Sequence, residues 1–172
     1  MGDILQEPIN AKDSEGFAVI NGLLHDEAFE LNEILFNRDN HTITIPVRRQ
    51  FHSGPERYIG NGVIFKKYEK EWMRSIVTIH GVIAQQTHHD QGIGSYSFCS
   101  WNYSDGKITI ECNEALILIV EVDRLEVQFA DIGFSGKARI ERGPGGVEIS
   151  SNKVYELDAE HEPPVGSPEA GR

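Results

Sequence analysis

An all-β domain, built as an antiparallel β-sandwich or barrel of roughly ten to eleven short strands, is what this 172-residue chain predicts. Three observations lead there. Apolar and polar residues alternate with period two along most of the chain. Turn signals recur roughly every 8–12 residues, the rhythm of sandwiches and barrels. The longest apolar run, ALILIV at 115–120, is strand-sized and far short of the roughly 18 residues of a membrane helix.

Taken in order, residues 1–16 mix polar groups with Pro8 and Gly16 and are expected to form a flexible N-terminal segment. FAVINGLL (17–24) reads as the first strand. DEAFELNEILF (26–36) fits two patterns. The preferred one is a strand running back through NRDN onto 41–51. The other is one short helix capped by Asp26, with Phe29, Ile34 and Leu35 inward. HTITIPVRRQF (41–51) is the clearest strand, with Ile43, Ile45, Val47 and Phe51 on one face and Thr42, Thr44, Arg48 and Gln50 on the other. Pro46 lacks an N–H, which places this strand at an edge or a bulge.

GVIF (62–65) follows an Asn61-Gly62 turn signal. WMRSIVTIHGVIA (72–84) is apolar on both faces, as a central strand would be, with His80 directed into one layer. YSFCSWNY (96–103) and KITIEC (107–112) flank Asp105-Gly106, and ALILIVEV (115–122) and RLEVQFA (124–130) continue the alternation. Weaker strands follow at 137–141, 146–150 and 153–157, around a GPGG turn at 143–146. Residues 158–172, with three prolines and almost no apolar content, are expected to be a disordered tail, leaving 17–157 as one β-rich domain.

A hydrophobic content of 39% beside 25% charged residues is that of a soluble globular chain. The N-terminus has neither a basic n-region nor an apolar h-region, and Gln6 stands where a myristoylation signal needs Ser or Thr. The expectation is a cytoplasmic protein with no membrane partner. A net charge of −11 repels phosphate and excludes a general nucleic-acid binder. The charge is unevenly spread: residues 48–74 carry a local +4 and the remainder −15. Arg48, Arg49, Lys66, Lys67, Lys70 and Arg74 are therefore the candidate binding residues for an acidic partner or ligand. The competing explanation is that basic residues guard strand edges.

Two further constellations carry chemistry. An Asp105-Gly106 turn pairs Ser104 with Lys107, Tyr103 with Ile108 and Trp101 with Ile110; the same register sets Cys99 directly opposite Cys112. As cross-strand neighbours about 4.5 Å apart between Cα atoms, they sit at the short limit for a disulfide. Either they form a redox-responsive pair or they are small residues of a core beside Trp101, which is the preferred reading in a reducing cytosol. The second constellation is His80, His88, His89 and Asp90, whose imidazoles and carboxylate are suitable ligands for one divalent metal. Alternation works against it, because His88 and His89 point to opposite faces of an extended chain. Metal-dependent jelly-roll enzymes use a His-x-His pair on one strand, from which His88-His89-Asp90 departs.

No GxSxG elbow, Walker loop, GxGxxG or CxxC is present. The preferred reading is a non-enzymatic binding domain without a cofactor, whose partner is a protein or a small molecule. The alternatives are a metal-dependent jelly-roll-like enzyme using the His/Asp cluster and a redox-responsive module using the Cys pair.

Overall fold

The computed structural model describes residues 7–50, 57–64, 66–146 and 148–156. Over these residues the chain is predominantly antiparallel β-structure, with one α-helix and twelve strands joined in one sheet that does not close into a barrel. The predicted tail at 158–172 lies outside the described residues.

Within the N-terminal segment, β1 (Ile9–Ala11) pairs with the late strand β11 (Val127–Arg142). The segment expected to be the first strand is instead a helix, α1 (Ser14–Leu24). The reason is local: the Asp13 side chain accepts a hydrogen bond from the Gly16 N–H at 2.8 Å and caps the first turn. Phe17, Ile20 and Leu24 then recur at helical spacing and are buried, while Val19 faces solvent. A short apolar run is compatible with either period, and the cap decides between them.

Residues 26–36 are mostly extended, as preferred, but broken. β2 (Ala28–Glu30) and β3 (Leu35–Asn37) flank a 3-10 turn at Leu31–Glu33, and Asp26 caps nothing, sitting at φ +64°. Both short strands pair with the same side of β4 (Thr42–Gln50), β3 at Thr42–Thr44 and β2 at Val47–Arg48. The pairing lapses between them at Ile45 and Pro46, so the proline lies neither on a bare edge nor in a bulge but opposite a gap. The predicted inward face of β4 holds at Ile43, Ile45 and Val47, which are buried, while Phe51 lies outside the described residues.

β5 (Arg57–Asn61) and β6 (Lys66–His80) follow. The predicted strand at 62–65 is displaced, for Gly62, Val63 and Ile64 lie between these two strands and Phe65 lies outside the described residues. β6 is central, between β4 and β11, and buries Met73, Val77 and Ile79. The strand read as 72–84 ends at Gly81, whose φ of +68° starts a second strand, β7 (Val82–His88). Alternation breaks there: Val82 is buried and Ile83 exposed, reversing the expected faces.

β8 (Ser95–Ser104), β9 (Lys107–Cys112) and β10 (Ile117–Val122) make a meander on whose far side β7 pairs with β10. β8 begins beside β2 and ends beside β9, carrying the sheet from one layer to the other. The predicted strands at 124–130 and 137–141 both fall on β11, which begins only at Val127, and those at 146–150 and 153–157 overlap a single strand, β12 (Glu148–Glu156). Between the layers, Phe29 stacks on Phe98 with centroids 4.4 Å apart, and α1 closes one side with Phe17 edge-on to Trp101. Each such buried side chain contributes about 1.5–3 kcal/mol.

Candidate functional site

The basic residues singled out in the sequence do not form one surface. Arg49 is buried; its Nη2 donates to Asp131 Oδ2 at 2.6 Å, its guanidinium lies 5.5 Å from the Phe129 centroid, and Ser75 Oγ donates to the other Asp131 oxygen at 2.6 Å. Arg48, one residue away and on the opposite face, reaches Glu30 at 3.5 Å and Glu33 at 3.9 Å. Lys70 is buried, Arg74 is exposed in register with Arg48, and Lys67 sits opposite Glu141. Lys66 is different: it is exposed, and its direct cross-strand partner on β11 is Arg142.

That pair stands at the end of an arm. Beyond the last contact with β4, at Trp72, β6 and β11 run on together, flanked by β5 and β12. Two rings stiffen the arm, Tyr58 lying edge-on to Tyr68 at 5.8 Å, and the Arg142 guanidinium lies 5.6 Å from the Tyr68 centroid. The connection between β5 and β6 exposes Val63 at 97% and Ile64 at 71%, an unusual choice where turn chemistry favours Gly, Asn and Asp. Beneath it is a cleft of about 580 Å³ lined by Val63, Ile64, Lys66, Tyr68, Arg142 and Pro144, among others. Aliphatic tips beside two facing cations suit a ligand that is both acidic and apolar. Neither Arg142 nor the exposed pair was legible beforehand, because the register joining Lys66 to a residue 76 positions later is set by the whole length of β6 and β11.

The metal-ligand candidates are dispersed. His80 ends β6 and His88 ends β7, so the seven extended residues of β7 hold them roughly 20 Å apart. The His88 Nε2 meets Gln86 Oε1 at 3.3 Å, and the rings of His88 and His89 are 6.4 Å apart. Asp90 is engaged elsewhere: it accepts from the buried Tyr96 hydroxyl at 2.5 Å and from the Gly92 N–H at 2.9 Å. The Tyr96 bond, then the Gly92 bond, holds the Asp90 carboxyl below its ordinary pKa, and the same carboxylate raises that of Tyr96. Among the described residues no three His, Cys, Asp or Glu side chains converge as a metal site. The segment is a pinned loop.

The predicted Cys99–Cys112 register is also corrected. Ser104, Tyr103 and Trp101 pair as expected, but a bulge at Cys99 shifts the ladder, so that Cys112 faces Phe98. Cys99 is exposed and Cys112 buried. Burial, and secondarily Cys99, pushes the Cys112 thiol up to about 12, which disfavours the thiolate needed for disulfide exchange. The bulge serves packing: Phe98 and Trp101, three apart, both become buried and meet edge-on at 5.4 Å. The Cys99 carbonyl accepts from His25 Nδ1 at 2.8 Å.

No helix among the described residues is long and apolar enough to cross a membrane. Neither family models, curated proteins nor solved structures match this chain, so the functional reading rests on its own surfaces.

Proposed function

We propose that this protein is a non-enzymatic binding domain that docks an acidic, apolar segment of a partner protein at the tip of its β5–β6–β11–β12 arm. The observation carrying this reading is the facing pair Lys66 and Arg142 beside the exposed Val63 and Ile64. Exposed aliphatic side chains gain nothing from water, so Val63 and Ile64 have a rationale when something covers them, and the neighbouring Lys66 and Arg142 favour an acidic occupant. With the molecule at −11 overall, the arm is where an acidic chain is least repelled.

The reading is tested with a fluorescent peptide alternating Asp and Leu, a Leu-free acidic control and a Leu-bearing neutral control. The Asp–Leu peptide is expected to bind more tightly than either control, with an affinity that falls as salt rises. It should shift amide resonances of residues 57–64, 66–68, 142, 143, 145 and 146. Equal binding of all three peptides, or shifts confined to another surface, would overturn the assignment.

A further inference from the structure

The gap opposite Pro46 has a counterpart across the molecule. β7 pairs with β10 along one edge, and among the described residues no strand pairs with its other edge. Along that edge Gln85 and Thr87 line an opening together with Leu31 and Ile34, and with Ile43 and Ile45 of β4 deeper in; the opening has two closed ends. At one, the Val82 N–H donates to the His41 carbonyl at 2.9 Å; at the other, the Leu31 N–H donates to the Gly94 carbonyl at 2.8 Å. The opening is thus a window in the wall. Behind it lies a cleft of about 140 Å³ reaching the buried Ile43, Ile45, Ile110 and Leu118, with Leu31 and Ile34 at the mouth.

The β7 side of this cleft has the wrong chemistry for a dry core. Gln85 pairs with Val120 and Thr87 with Leu118, and cross-strand partners share a face. Val120 and Leu118 are buried inward, so Gln85 and Thr87 stand in the inward row, where an ordinary sandwich strand would carry apolar residues. Both are solvent-exposed through the window. The cleft has one aliphatic wall and one neutral hydrogen-bonding wall, and no charged side chain lines it among the described residues.

We infer that this cleft binds a small neutral amphiphile whose hydrocarbon end lies on Ile43, Ile45 and Leu118 and whose amide or hydroxyl end meets Gln85 and Thr87. Volume sets the size: a cavity of about 150 Å³ accommodates benzene, so the ligand has roughly five to seven non-hydrogen atoms. A peptide strand does not fit. Charge sets the class, because the lining offers a carboxylate or ammonium no counter-ion, whereas Gln85 and Thr87 can pair with a neutral amide or hydroxyl. The site shares no residue with the arm-tip cleft, so the two proposals stand or fall separately.

Methyl-resolved NMR of the full chain tests it with three probes: pentanamide, pentanoate at pH 7, and benzene. Pentanamide is expected to give saturable shifts confined to methyls that line the cleft, those of Leu31, Ile34, Ile43, Ile45, Ile110 and Leu118 foremost, with pentanoate at least tenfold weaker. The isosteric Thr87→Val variant should weaken pentanamide about fivefold, the effect of one hydrogen bond, and leave benzene unaffected. The inference fails if no probe saturates these methyls, if pentanoate binds as well as pentanamide, or if benzene alone binds. A Thr87→Val variant that weakens benzene and pentanamide equally would also overturn it, since the change would then act on the cleft's shape.

Discussion

Asp131 shows how much a single side chain can be asked to hold. Its carboxylate has no exposed side-chain surface and meets both the Arg49 guanidinium and the Ser75 hydroxyl. Removing one partner of a buried pair leaves the other charge uncompensated, at a cost of about 3–5 kcal/mol. Asp131→Ala is therefore expected to lower the urea midpoint severely, and Arg49→Met added to it should recover part of the loss; a double variant as unstable as the two losses combined would show that the pair is not coupled. Cys112 makes a different prediction at this level. Its folded-state pKa, about 12, lies above the ordinary thiol value of 9.0. The native state then keeps its proton where the unfolded state has lost it, so this group's contribution is intact below pH 9 and declines from there towards 12. Unfolding measured from pH 8 to 10.5 should show stability falling, with a shallower fall in Cys112→Val; identical slopes would refute the assignment. In the same protein Cys99 should react promptly with a thiol reagent and Cys112 only on unfolding.

Glycine at position 81 does for β6 and β7 what no side-chain residue does easily. Its φ of +68° turns one continuous apolar segment into two strands of opposite phase. A Cβ there would lie 2.1 Å from Asp123 Oδ1, yet that oxygen ends an exposed side chain whose torsions can turn it aside, so the clash is relieved by rotation. What remains is the left-handed backbone, worth about 1–2 kcal/mol. Gly81→Ala should lose about that much by denaturant titration, and Gly81→Ala/Asp123→Ala should lose about the same; a large rescue by the second change would mean that sterics dominate. The bulge at Cys99 and the Asp13 cap are devices of the same kind, each a local irregularity that turns a regular pattern to the needs of the core.

Taken whole, the molecule sets its packed core apart from the arm on which binding is proposed. The core gathers α1, β1, β2, β4, the second half of β6, the β7–β10 meander and the start of β11, while the arm runs on past Trp72 and, among the described residues, buries little at its tip. Lys66→Glu replaces a facing like pair with an opposite one, so stability should stay within about 0.5 kcal/mol of the parent or rise slightly. The same change should abolish the Asp–Leu peptide's preference over its controls. Thermal unfolding and peptide titration of one preparation check both halves, and a loss of stability that tracks the loss of binding would undo the separation.

Periodicity alone was enough for the all-β class, the buried face of β4, the centrality of β6 and the register nearest the Asp105-Gly106 turn, because each is set by neighbours a few positions apart. The helix at 14–24, the bulge that parts Cys99 from Cys112, the meeting of Lys66 with Arg142 and the window beside β7 lay beyond it. The bulge, the Lys66–Arg142 pairing and the window depend on which distant strand a segment is paired against, while the helix turns on the local Asp13 cap, to which periodicity is blind. Alternation says which way a side chain points but not what it faces, and a single residue in the left-handed region or one unpaired in a ladder reverses even that for everything that follows.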